Sequence, residues 1–168
     1  MSAPDPTGLT HLDADGHPHM VDVGGKPDTQ RSATVEASVH LGSRAFELAI
    51  GGGHKKGDVL QIARLAGIQG AKRAAELIPL CHPLPIDAVS VDITQHPAPA
   101  GGGTLRVEVT VRTRWRTGVE MEAMTAASAA ALTIYDMLKG TERGIVIDGI
   151  RLLEKKGGRS GHWTAQRG

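Results

Sequence analysis

Ionisable side chains crowd together at four places where they could do chemistry. Gly51-Gly52-Gly53-His54-Lys55-Lys56-Gly57-Asp58 sets two ammonium groups and an imidazole on a glycine-rich loop. Such a loop can bring cations to an anion, and crowded cations lower one another's pKa, which readies a lysine for proton transfer. The nucleoside-triphosphate loop needs Lys and then Ser or Thr after its last glycine; Asp58 stands there instead, so that motif fails. A flexible solvated loop is the simpler reading of these residues by themselves. Ile78-Pro79-Leu80-Cys81-His82-Pro83-Leu84-Pro85 holds a thiol and an imidazole inside a rigid, proline-stiffened stretch. Adjacent side chains in extended chain point apart, so a Cys–His nucleophilic pair is disfavoured; a buried Cys81 with an outward His82 is the simpler assignment. His82 could still move a proton near neutral pH. Arg112, Arg114 and Arg116 share one face of a strand and could hold phosphate or guard a sheet face from association.

The fourth place is Thr117–Gly140, TGVEMEAMTAASAAALTIYDMLKG, which reads as one long helix entered at Gly118 and stopped at Gly140. Met124, Ala127, Ala131, Ile134, Tyr135 and Leu138 follow the spacing of a core face. Glu122, Thr125, Ala129, Thr133 and Asp136 make a second, polar stripe with Lys139 at its margin. A helix that is small and apolar on more than one side needs neighbours on more than one side. Its polar groups then face a cavity or an interface, where desolvation is costly without partners. A solvated outer face with a surface Asp–Lys pair accounts for the same spacing equally well.

These residues must be positioned by a modest set of elements. Arg31–Leu41 alternates, with Ala33, Val35, Ala37, Val39 and Leu41 on one face, which predicts a half-buried strand. Ser43–Ile50 predicts a short helix capped by Ser43. Asp58 or Gly57 caps a helix reaching Glu76, which Gly67 and Gly70 could kink or divide. Ile86–Thr94 and Thr104–Arg116 predict strands around a Pro/Gly-rich hairpin loop at Gln95–Gly103, and Gly144–Leu153 a fourth strand. The order strand–helix–strand–strand–helix–strand is the split βαβ pattern of an α+β, ferredoxin-like βαββαβ domain. Its antiparallel sheet carries helices on one face, so the other face needs solvent-compatible residues or a second subunit. Residues 1–20 predict a flexible arm, 21–161 a single domain and 162–168 a loose tail. His11, His17 and His19 sit in the arm, but neither Cys nor regular helical spacing accompanies them, so no metal site is expected.

With 168 residues the chain can build one real core, and its formal charge of +1 leaves no footprint for nucleic acid or an anionic membrane. Four scattered aromatic residues, Phe46, Trp115, Tyr135 and Trp163, make a poor stacking platform for single strands. One cysteine allows no internal disulfide, and no apolar run has signal-core or membrane-spanning character; a cytoplasmic protein is expected.

Four stretches taken together resemble the cyclic pyranopterin monophosphate synthase family, the MoaC-type proteins of molybdenum-cofactor biosynthesis. They are HMVDVGGK, HKKGDVLQIARLAGIQGAKRAAELIPLCHPL, TGVEMEAMTAASAAALTIYDMLKG and RLLEKKGGRSG, spread from residue 19 to residue 161. LIPLCHPL and the GVEMEAMTAAS helix are the most specific; Gly53 departs from the pattern, where a larger polar residue is expected. The resemblance implies a lyase without cofactor or metal. It would convert a GTP-derived cyclic intermediate, with ribose C3′ joined to base C8, into cyclic pyranopterin monophosphate and release pyrophosphate. The resemblance assigns catalysis to Lys56, Asp136 and Lys139. It assigns substrate binding to Leu80, Cys81, His82, Glu120, Met121 and Glu122, and phosphate contacts to Arg31, Lys155 and Arg159. It also implies a homohexamer built as three dimers, with active sites between subunits. A non-enzymatic ferredoxin-like ligand-binding or oligomerisation module is the competing expectation; it predicts that the charged helix residues can be removed without loss of a chemical activity.

Overall fold

A computed structural model describes residues 11–13, 15–51, 57–158 and 161–166. Five strands form one sheet in the order β2-β3-β1-β4-β5, and every neighbouring pair is antiparallel. They are β1 (Thr29–Leu41), β2 (Ala88–Pro97), β3 (Gly103–Trp115), β4 (Val146–Lys156) and β5 (His162–Thr164). The helices are α1 (Ser43–Ile50), α2 (Val59–Lys72), α3 (Ala74–Leu77) and α4 (Glu120–Leu138). The first four strands with α2 and α4 give the expected ferredoxin-like α+β arrangement, with the helices on one face of the sheet.

Alternation creates the two faces. Ala33, Val35, Ala37, Val39 and Leu41 of β1 meet Leu105, Val107, Val109 and Val111 of β3 in a core that α4 covers. The opposite face is polar. There Thr34 and Thr110 hydroxyls share a hydrogen bond of 2.9 Å, and Glu36, only 7 % exposed, is held by Arg106 and Arg151. Those guanidiniums compensate a carboxylate whose burial would otherwise be costly.

α4 is buried on two sides, as its stripes require. Ala127, Ala131, Ile134 and Leu138 pack toward the sheet side of the core, while Ala126, Ala129 and Ala130 meet α2. Close approach is possible because α2 presents glycine. A Cβ on Gly70 would stand 2.7 Å from Ala129 Cβ and 3.0 Å from Thr125 O; one on Gly67 would stand 3.0 Å from Val91. Gly67 and Gly70 therefore serve packing, and the division of the helix falls later, at Arg73.

Local chemistry explains the other boundaries. Asp58 caps α2, its Oδ1 accepting from Leu60 N–H (2.9 Å) and Gln61 N–H (3.1 Å). Ser43 does not cap α1: Gly42 is the N-cap, and its N–H donates to the Glu142 carboxylate at 3.0–3.1 Å, a long-range contact invisible to local reading. The expected hairpin loop is shorter than predicted, because β2 pairs with β3 through Pro97. The expected loose tail contains an edge strand. His162, Trp163 and Thr164 pair with Lys156, Lys155 and Glu154, aided by positive φ at Gly157, Gly158 and Gly161.

Candidate active site

α4 opens at Val119 without a side-chain cap, with Glu120 and Glu122 in its first turn. The extended segment after α3 runs beside this opening. Between them lies a cavity of about 350 Å³ that Leu80, Cys81, His82, Glu120, Met121, Glu122 and Lys155 help to line. Seven of the sequence-selected residues, from three separate stretches, thus converge on one space.

Lys155 reaches the site from the helix-facing side of β4 and is ion-paired with Glu120. Glu122 is only 4 % exposed. Burial raises its pKa, its own backbone N–H partly offsets that, and the neighbouring Glu120 carboxylate raises it further. It is therefore a carboxyl that can hold a proton closer to neutrality than an exposed glutamate. Burial likewise raises the Cys81 thiol, and Glu122 adds to the effect, so Cys81 ionises less readily than a free thiol. The expected division into buried Cys81 and outward His82 is not found. Both are half-buried and both line the cavity, because the extended segment has α4 and cavity space on its two sides. His82 and Glu122 also line an adjoining cavity of about 290 Å³ with Lys72 and Glu76, and so stand between the two spaces.

Arg31 lies off the cavity lining. Its Nε donates to Trp115 O (2.8 Å) and an Nη to Arg116 O (3.1 Å), which fixes the guanidinium plane. Gly158 approaches it so closely that a Cβ there would strike the guanidinium. Asp136 and Lys139 are elsewhere. They form an exposed ion pair of 2.6 Å at the C-terminal end of α4. At the helical rise Asp136 is roughly 24 Å along the axis from Glu120. The hydrogen bond and charge of Asp136 raise the pKa of Lys139, so the pair presents an ammonium, not a free amine. Lys56 and Arg159 lie outside the described residues.

The remaining lining residues were not selected as site residues from the sequence; they include Leu84, Thr117 and Gly118, which flank selected ones, and His11, Val21, Val23 and Lys26, which come from a separate segment. Lys26 was legible only as the last residue of the resembling stretch HMVDVGGK. Nothing in its local pattern shows that the chain after the arm folds back against the start of α4.

The arrangement can bind a polyanion with Lys155, Lys26 and the α4 N-terminus, and can offer protons from Glu122 and His82. The sequence profile of the MoaC family matches residues 20–158. A protein of Cereibacter sphaeroides called cyclic pyranopterin monophosphate synthase is 55 % identical over 159 residues, covering 95 % of this chain and 98 % of its own. One of the same name from a Jannaschia species is 52 % identical over 160 residues, covering 95 % and 96 %. With the ferredoxin-like sheet and the cavity lined from all four resembling stretches, these matches place the chain in the MoaC family.

Proposed function

We propose that this chain is a cyclic pyranopterin monophosphate synthase: a lyase that rearranges a cyclic GTP-derived intermediate into cyclic pyranopterin monophosphate and expels pyrophosphate in molybdenum-cofactor biosynthesis. The observation that carries the reading is the convergence of Leu80–His82, Glu120–Glu122 and Lys155 on one cavity beside an uncapped helix start. Opening a purine-derived ring, closing a pterin and forming a cyclic phosphate require proton transfers and neutralised phosphates. Glu122 and His82 are the proton-handling groups of this cavity. Lys155, with Lys26 and Arg31 nearby, supports the phosphate chain.

Asp136 and Lys139 are too far along α4 to serve the cavity of their own chain. We assign them, with Lys56, to the cavity of a neighbouring copy in a homohexamer of three dimers, so that each active site draws on two subunits. Lys139, kept protonated by Asp136, enters such a site as a cation or proton donor. A nucleotide-derived substrate and a fold whose described helices are too short or polar to cross a membrane support a cytoplasmic setting.

The test combines single variants with subunit mixing. Asp136→Asn and Lys56→Ala are expected to keep fold and assembly while abolishing pterin formation from the cyclic intermediate. His82→Ala is expected to be inactive as well. Co-refolded mixtures of Asp136→Asn and His82→Ala chains regain activity, up to roughly a quarter of sites when pairing is random. Wild-type turnover in the single variants would remove the assigned roles. Silent mixtures would place all groups of one site on one chain.

A further inference from the structure

Residues 11–13 and 15–19 form a small hairpin. Leu12 bridges Pro18, Asp13 N–H donates to His17 O (3.0 Å), and His19 N–H donates to His11 O (2.9 Å). This register sets His11 opposite His19 and Asp13 opposite His17, four metal-ligating side chains on one face. Asp15 stands at the turn beside Gly16, whose φ is +83°. The Asp13 carboxylate is braced: its Oδ1 accepts from Asp15 N–H (2.9 Å) and His17 N–H (2.8 Å). Its Oδ2 remains turned to His17 Nδ1 at 3.6 Å. Ligand atoms of Asp13, Asp15 and His17 all lie within 4.8 Å of one another.

We propose that this hairpin face binds a first-row divalent transition metal such as zinc, through Asp13, Asp15 and His17, with His19 as a fourth donor. Donors on one such ion stand about 3–4 Å apart, so exposed side chains close the remaining gap by rotamer changes of about an ångström. Mixed imidazole and carboxylate donors suit zinc, nickel or copper better than magnesium, which prefers oxygen alone. The backbone hydrogen bonds on Asp13 play the part that outer-shell donors play in known sites, fixing the ligating carboxylate. The expectation of no metal here rested on the absence of an accompanying Cys and of regular helical spacing; pairing across the hairpin supplies the proximity that spacing lacks.

Isothermal titration of the tag-free full chain with zinc chloride at neutral pH, with cobalt(II) absorption as a second readout, tests the site. One saturable equivalent is expected. Asp13→Asn and His17→Ala should each weaken it at least tenfold, with circular dichroism unchanged because the hairpin is exposed. His162→Ala, which removes another exposed histidine–carboxylate pair, should leave it unaltered. Absence of saturable binding to the wild-type chain, or wild-type affinity in the Asp13→Asn/His17→Ala double variant, would overturn the proposal.

Discussion

Glu122 has a raised pKa because it is buried beside Glu120, and this links stability to pH with a definite sign. A carboxyl whose folded pKa exceeds its unfolded value binds its proton more tightly when folded. Stability from this group is thus complete below the ordinary value of 4.5 and declines as pH rises to the raised value. Glu122→Gln keeps the shape and removes the charge. It should raise the melting temperature at pH 7, with the gain vanishing below about pH 4, while abolishing proton transfer. An equal gain at both pH values would refute the burial argument. Lys155 offers a complementary case. Lys155→Met keeps the aliphatic stem but loses the ammonium, so KM should rise about tenfold, equivalent to ~1.4 kcal/mol, with kcat less affected; steady-state kinetics decide. Local reading found Glu120, Glu122 and Lys155 by type and resemblance, yet could not show that Lys155 pairs with Glu120. That contact depends on the strand pairing of β4 with β1, which brings residues 35 positions apart together. Lys26 was missed for the same reason.

The pairing of α2 with α4 fixes where the start of α4 meets the segment carrying His82. Gly70 lies in that contact, against Thr125, Ala126 and Ala129. Gly70→Ala gains helix propensity of about 1 kcal/mol, yet its Cβ would collide with Ala129 and the backbone of Thr125–Ala126. Overpacking of that kind costs about 1–3 kcal/mol, so a net loss of stability is expected in urea unfolding. A variant as stable as wild type would show that the helices separate freely. Element by element, much of this architecture was readable. The alternation of β1 and β3 and the two faces of α4 follow from period, and Asp58 as a cap follows from type. Helix division at Arg73, the Gly42–Glu142 cap and β5 were not readable, since each depends on partners distant in sequence or on glycine φ values that composition does not disclose.

At the scale of the whole molecule, the two ends of α4 have different fates: Glu120 and Glu122 face a cavity, while Asp136 and Lys139 face outward, 61 % and 56 % exposed. Light scattering should accordingly find an assembly larger than a monomer. Dilution that dissociates it should lose activity in parallel, whereas full activity of isolated monomers would refute shared sites. Glycine is also unequally replaceable across the fold. At Gly157 and Gly158, with φ of +94° and +72°, a side chain would strike Gln30 or Arg31. At Gly140 nothing lies within 4 Å of an added Cβ, and φ is not positive. Gly140→Ala should therefore stabilise the protein by about 0.4–1 kcal/mol, visible as a higher melting temperature. For anyone hardening this enzyme against heat, the β4 exit must keep its bare backbone. Thermal resilience has to be introduced at the far end of the long helix, where an added methyl group meets no described atom of its own chain within 4 Å.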